Sequence, residues 1–391
     1  MRRALTIAVL LVVSLTGCEK ESAIQIGAVL PLTGEAQVYG QSVRKGVELG
    51  FEKLVASGPE FQYQLSVVDS TSDPQMAADL VKQLYGDGAM AVIGGVTTAE
   101  ALQSVAVAEE YDRVLLSPSA SSPQLTGISK YFYRVFVSDS REGTTMANFA
   151  TQKLKTASVV ILAKEDPYAQ GNQEVFETNF ARQGGEVLEK ILFPAVGGDF
   201  SGLVERVMTL TPDAVYLAAY ANETSQLIQE LRLQKFKGYI LATAAFAAPE
   251  IIERVGQPAE GVFLTQAGFD TKSETPLIKD FVDSYREKYG LTPDLYAAHG
   301  FDSVMVLSAG ISESGGKYAS ELWSGLRALR DYQGVTGTLQ FDERGDVQKF
   351  PRVFVVNEGR LADYEKTVDE KRKQIMERLR ALEERQRRAN G

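Results

Sequence analysis

From residue 24 onward, short apolar runs alternate with amphipathic stretches of helical length. The alternation predicts strands at 24–30, 63–69, 91–94 and 114–117, with helices at 40–55, 74–85 and 99–110 between them. A second series repeats it. Helices are predicted at 142–154, 170–183, 200–208 and 222–233, and strands at 158–163, 189–193 and 214–218. Strand, crossover helix, strand is the pattern of parallel βαβ units, whose ligands sit beyond the carboxyl ends of the strands. With 391 residues, the chain is too long for one compact core. The expected fold class is therefore α/β, two doubly wound parallel-sheet lobes with a crevice between them, plus a C-terminal helix.

That last helix has a different composition. Residues 365–388 are rich in Glu, Lys, Arg and Gln and contain neither Gly nor Pro. Val368, Ile375, Leu379 and Leu382 form one narrow apolar stripe along it. Such a stripe can pack on the body, self-associate weakly with a second copy, or meet a partner; it can also remain a solvated helix face.

Ahead of the first strand, Arg2 and Arg3 precede an apolar stretch over residues 4–15. About twelve apolar positions fall short of the roughly twenty needed to span a bilayer, so residues 1–17 read as an export signal. Leu15-Thr16-Gly17-Cys18 resembles the bacterial lipobox, which implies lipidation at Cys18. Cys18 is the only cysteine, so the mature chain has no disulfide. The expected location is periplasmic or cell-surface, held to a membrane by that anchor alone.

The net charge of −10 is carried by the body, because residues 366–391 are basic. An acidic body excludes nucleic acid as an expected partner. Enzyme chemistry finds little footing. His299 is the sole histidine and reads as structural, and no nucleophile elbow, dinucleotide fingerprint or phosphate loop is present. No cofactor or metal is expected.

Two loops have the chemistry of an anion site. Gly94-Gly95-Val96-Thr97-Thr98 ends a strand and opens a helix, presenting N–H groups and hydroxyls. Ser119-Ala120-Ser121-Ser122-Pro123 follows the next strand in the same manner. Each alone also fits helix capping, but two at adjacent strand ends point to a site. Tyr39, Tyr168 and Tyr220 lie in segments after strands, here read as loops, where a phenol gives an apolar wall with one polar tip.

The stretch Ile26-Gly27-Ala28-Val29-Leu30-Pro31-Leu32-Thr33-Gly34, with Tyr39-Gly40 and Gly46, resembles the opening of the type I periplasmic binding proteins of the Leu/Ile/Val-binding branch. Asp69-Ser70-Thr71-Ser72-Asp73-Pro74, Val92-Ile93-Gly94-Gly95, Ser117-Pro118-Ser119-Ala120-Ser121-Ser122-Pro123 and Gly337-Thr338-Leu339-Gln340-Phe341-Asp342 follow in that family's order. The resemblance implies two lobes joined by a three-segment hinge. Lobe one would be 24–137 plus 267–340, and lobe two 138–266 plus 341–364. It implies carboxylate-binding hydroxyls at Thr98 and Ser121, backbone contacts at Thr97 and Ser119, and Tyr168 and Tyr220 walling the ligand from lobe two. It further implies capture of a small molecule, an amino acid or other carboxylate, for delivery to an inner-membrane ABC permease; the alternative is a regulatory or protein-binding lipoprotein of the same fold.

One position departs from the family. The acid that meets the ligand's ammonium in branched-chain amino acid binders falls on Ala244, and no acid occurs between Glu230 and Glu250. Either the ligand is a carboxylate without that ammonium, with Phe246 adding to an apolar wall, or the alignment slips, or an acid elsewhere in the chain supplies the charge.

Overall fold

A computed structural model describes residues 23–194 and 200–389, with side chains through residue 379. The signal segment and Cys18 lie outside the described residues. The first unit is built from β1 (Ile24–Leu30), α1 (Gln37–Ala56), β2 (Tyr63–Asp69), α2 (Pro74–Gly86), β3 (Ala91–Ile93), α3 (Thr98–Glu110), β4 (Val114–Ser117) and β5 (Phe132–Arg134). Its five strands are all parallel, in the order β2-β1-β3-β4-β5. β3 and β4 are buried along their whole length, as expected for apolar runs covered by helices on both faces.

The second unit runs through α4 (Asp139–Gln152), β6 (Ser158–Lys164), α5 (Pro167–Arg182), β7 (Glu186–Phe193), α6 (Phe200–Leu210), β8 (Ala214–Ala218), α7 (Ala221–Leu233), β9 (Tyr239–Ala242), α8 (Pro249–Val255) and β10 (Phe263–Gln266). The chain then returns to the first unit with α9 (Pro276–Tyr289), α10 (Leu295–Glu313) and α11 (Leu322–Ala328). A hairpin, β11 (Tyr332–Gly334) and β12 (Gly337–Leu339), precedes β13 (Arg352–Asn357), β14 (Arg360–Asp363) and α12 (Tyr364–Ala389). α10 lies directly on α1: a Cβ at Gly46 would overlap the Ala297 carbonyl, so the close approach requires glycine there.

The second sheet has the order β14-β13-β10-β9-β8-β6-β7. It differs from the purely parallel expectation. β13 returns from the first unit and runs antiparallel to β10, and β14 runs antiparallel to β13, since the two-residue turn at Glu358 and Gly359 that joins them needs no crossover helix.

Residues 341–349, assigned above to lobe two, pack on lobe one instead. The reason is electrostatic. Arg134 at the end of β5 is fully buried, and its guanidinium forks onto Asp346 at 2.7 and 3.0 Å. The Arg134 N–H also donates to the Gly345 carbonyl at 3.1 Å, and Thr126 donates to Asp346 at 2.8 Å. The chain leaves this contact only near Phe350, to enter β13.

Buried Lys349 donates to the Val135 carbonyl at 3.3 Å and to the Thr336 hydroxyl at 2.5 Å. Asp302 on α10 accepts from the Val335 and Thr336 N–H groups at 2.8 and 2.9 Å. Burial draws Lys349 down to about 8, partly offset by Asp302. His299, one turn earlier on α10, is fully buried with Nδ1 2.9 Å from the Leu295 carbonyl, and burial pushes it well below its ordinary value.

Candidate functional site

Two helix starts at adjacent strand ends build the floor of the cleft. Thr97 is the N-cap of α3: its hydroxyl accepts from the Glu100 N–H at 3.2 Å, and Glu100 accepts from the Thr97 N–H at 3.0 Å. That reciprocal pair occupies the Thr97 side chain. The next residue, Thr98, has a hydroxyl that is 1% exposed and has no hydrogen-bond partner among the described residues. It lines a cavity of about 20 Å³ between the lobes. Gly95, at φ +65°, allows the turn that brings the cap into place, since a Cβ there would press on Ala101 at 2.8 Å.

The neighbouring loop after β4 is pinned from within. The Ser117 hydroxyl donates to the Gly95 carbonyl at 2.7 Å and accepts from the Ala120 N–H at 2.9 Å. Ser119 donates to the Val96 carbonyl at 2.7 Å, which ties the two loops together. Ser121 donates to Asp139 at 3.0 Å, reaching across to the first turn of α4. Ser119, Ala120 and Ser121 all line the same cavity as Thr98.

Aromatic side chains from both lobes close it. Tyr39 and Tyr168 sit in the first turns of α1 and α5 rather than in loops, because α5 begins three residues before its predicted start, capped by Asp166. Tyr220 is the N-cap residue of α7. Tyr168 and Tyr220 stack with centroids 4.8 Å apart, and Tyr39 leans on both Tyr220 and Tyr296. The Tyr39 hydroxyl, from lobe one, donates to the Ala245 carbonyl and accepts from the Ala221 N–H, both in lobe two and both at 2.9 Å. Tyr296 donates to the Ala244 carbonyl at 3.1 Å. These phenols therefore bridge the lobes as well as wall the cavity, and burial holds both far above the usual tyrosine range.

Of the residues singled out from the sequence, Tyr39, Thr98, Ser119, Ala120, Ser121, Tyr168, Tyr220 and Ala244 converge on this one cavity. Two do not. Thr97 faces an adjoining chamber. Phe246 is fully buried in the short 3-10 turn Ala244–Ala247 and points into the core, so it adds nothing to the wall. Val96, Phe136, Ala245 and Tyr296 complete the lining and went unnoticed in the sequence. Tyr296 was detectable: it stands two residues after the capping Asp294, as Tyr168 stands two after Asp166.

Acids missed by the sequence reading lie beside the cavity. Asp139 and Glu142, in the first turn of α4, are fully buried. Burial pushes Asp139 up to about 7, with Ser121 and Arg134 opposing. Burial, then the Asp139 charge, pushes Glu142 well above the carboxylate range. Both Glu142 oxygens lack a partner among the described residues, so no hydrogen bond offsets the cost of burying their charge. No group of three or more His, Cys, Asp and Glu suited to a metal ion occurs among the described residues, and no described helix is long and apolar enough to cross a membrane.

The curated relatives include Leu/Ile/Val-binding protein homolog 3 of Brucella melitensis, 27% identical, with 83% of this chain and 88% of the relative covered. A leucine-, isoleucine-, valine-, threonine-, and alanine-binding protein of Pseudomonas aeruginosa is 23% identical, with 84% and 88% covered. Among solved structures, the leucine binding protein LivK of Thermotoga maritima superposes with a TM-score of 0.82 at 30% identity, covering 87% of this chain and 97% of that one. LivJ of Streptococcus pneumoniae, a branched-chain amino acid transporter substrate binding protein in complex with isoleucine, gives 0.81 at 26% identity, covering 87% and 98%. The profile described as periplasmic binding protein matches residues 23–357, and the chain belongs to that family.

Proposed function

We propose that this chain is an extracytoplasmic solute-binding lipoprotein, which captures a small carboxylate or amino acid-like ligand between its lobes and delivers it to an inner-membrane ABC permease. The observation that carries the reading is the Thr98 hydroxyl: buried, unpartnered and at the start of α3, beside the pinned loop of Ser119, Ala120 and Ser121. A carboxylate there would accept from that hydroxyl and from N–H groups of the helix terminus. About 20 Å³ holds little more than a water, so a ligand enters only as the lobes part and the tyrosine bridges open. A binding cycle of opening and closing suits a carrier. Relatives whose names specify branched-chain amino acids lend weight to the amino acid class. Lipidation at Cys18 would keep the carrier close to its permease.

The test is a melting-temperature screen of the mature chain against amino acids and their deaminated carboxylates, followed by calorimetry on the hits. A saturable rise with at least one carboxylate is expected. No response to any of them would sink the reading.

A second reading, a regulatory or protein-binding lipoprotein, draws on α12. Val368, Ile375, Met376 and Leu379 are 40–57% exposed on a helix that leaves the body after its first turn. Capture of a protein partner through residues 365–388, with a ligand-blind cleft, would favour it.

A further inference from the structure

Outside the tyrosine wall lies a larger chamber of about 580 Å³, within the range of small-molecule sites. It lies between the lobes and shares Tyr168 and Tyr220 with the inner cavity, while Thr97 stands on its side of the α3 start and Thr98 on the other. Pro74, Pro167 and Phe200 give it an apolar wall, and four charged side chains face into it.

Those charges do not balance. Lys164, at the end of β6, is 4% exposed and is already committed to Glu223 at 2.5 Å and Glu35 at 3.5 Å. A second anion would have to displace one of these. Asp166 uses one oxygen to cap α5 through the Ala169 N–H at 2.8 Å. Glu223 and Glu35 thus share one ammonium, while Asp166 makes no ion pair among the described residues and burial pushes its carboxyl above the ordinary carboxylate range. The second oxygen of Asp166 and the second oxygen of Glu223 are buried and have no hydrogen-bond partner among the described residues. Leaving two such acceptors unmatched is costly, and a donor with several N–H groups would satisfy both. Asp166 stands two residues before Tyr168, which lines both compartments. No metal-binding group of side chains forms there among the described residues, so an organic cation is the fitting occupant.

We propose that this chamber is a second compartment of the ligand site, in which Glu223 and Asp166 receive a cationic group at the far end of a ligand whose carboxylate lies at Thr98. The inference rests on the inner cavity being the carboxylate site. It names the ligand class as elongated and zwitterionic, an amine or guanidine several bonds removed from a carboxylate. The counter-charge that position 244 lacks is then supplied from the other side of Tyr220. Apolar stems of such ligands would lie along the proline and phenylalanine wall.

Calorimetry of the mature chain with hexanoate and 6-aminohexanoate tests it, in the parent and in Glu223→Gln and Asp166→Asn, singly and together. Asparagine preserves the α5 cap, so folding is kept, and each variant's ligand-free melting curve verifies this. The amino compound should bind about tenfold or more tightly than hexanoate, and the preference should fall to within about threefold in the double variant. Equal or weaker binding of the amino compound overturns the inference, as does a preference that survives in the double variant. If neither compound binds while other carboxylates do, the chamber is no ligand compartment and the inner-cavity reading stands. If no carboxylate binds at all, both readings fall.

Discussion

Thr98 and its neighbour Thr97 show how alike two residues can be in sequence and how differently the fold uses them. Thr97 spends its hydroxyl on the Glu100 N–H, whereas the Thr98 hydroxyl is buried without a partner. Replacing Thr98 by valine removes an unsatisfied polar atom and keeps the shape, so the ligand-free protein should be as stable as the parent or slightly more so. Ligand affinity should fall about tenfold, since a hydrogen bond to a charged group is lost. Melting curves and calorimetry on one preparation read the two effects separately. A parallel fall in both would mean that Thr98 is only a structural residue. Ala244 carries a similar lesson. Its side chain has no chemistry, yet its carbonyl accepts from Tyr296 across the lobes.

Among the elements, four strands were legible to the residue, whereas β5 and β10 were not foreseen and β7 begins three residues before its predicted start. The runs at 24–30, 63–69, 114–117 and 214–218 coincide with β1, β2, β4 and β8, because each is a short run rich in apolar residues set between segments of helical pattern. Helix starts were less legible. α4 and α5 begin three residues early, at caps Ser138 and Asp166, whose side chains accept from N–H groups inside the helix. The error mattered, since those first turns hold Asp139, Glu142 and Tyr168. α12 illustrates the opposite case, a helix foreseen from composition whose packing was not. Only its start is held: Tyr364 stacks edge-on to Phe149 and Phe263, and Glu365 pairs with Lys153 at 2.9 Å. Ending the chain after Lys366 should therefore shift the melting temperature by less than about 2 °C, since a mainly solvated helix adds little to the folded body. If sedimentation equilibrium finds the full chain partly dimeric and the shortened one monomeric, the apolar stripe serves self-association. A large drop in melting temperature would show that the helix packs on the body.

At the scale of the whole molecule, two lobes meet over buried charge. Arg134 with Asp346 ties β5 to the returning chain, Lys349 ties Val135 to Thr336, and Asp139 with Glu142 lies under the cleft. The last pair makes stability depend on pH. In the unfolded chain Asp139 ionises near 3.8, whereas in the folded protein it keeps its proton up to about 7. Between these values the folded state binds more protons, so stability falls as pH rises and levels off above about 7. Glu142, also raised, works in the same direction. Asp139→Asn should thus gain melting temperature relative to the parent as pH goes from 4 to 7, with no further gain above. A difference between the two proteins that is flat across that window would show that Asp139 is not the titrating group.

The sequence by itself determined the two βαβ series, the pair of hydroxyl-bearing loops, and the composition of the terminal helix. All of these are local: hydrophobic period, capping chemistry and glycine placement act over a few residues. Only the tertiary structure decided which residues share the cavity, that residues 341–349 belong with lobe one, that Phe246 turns into the core, and that Tyr39 bridges the lobes to Ala221 and Ala245. It also decided where the negative charge lies, on α4 and at the starts of α5 and α7 rather than at position 244. Burial and charge pairing depend on what arrives from 100 or 200 residues away, and no local pattern encodes that.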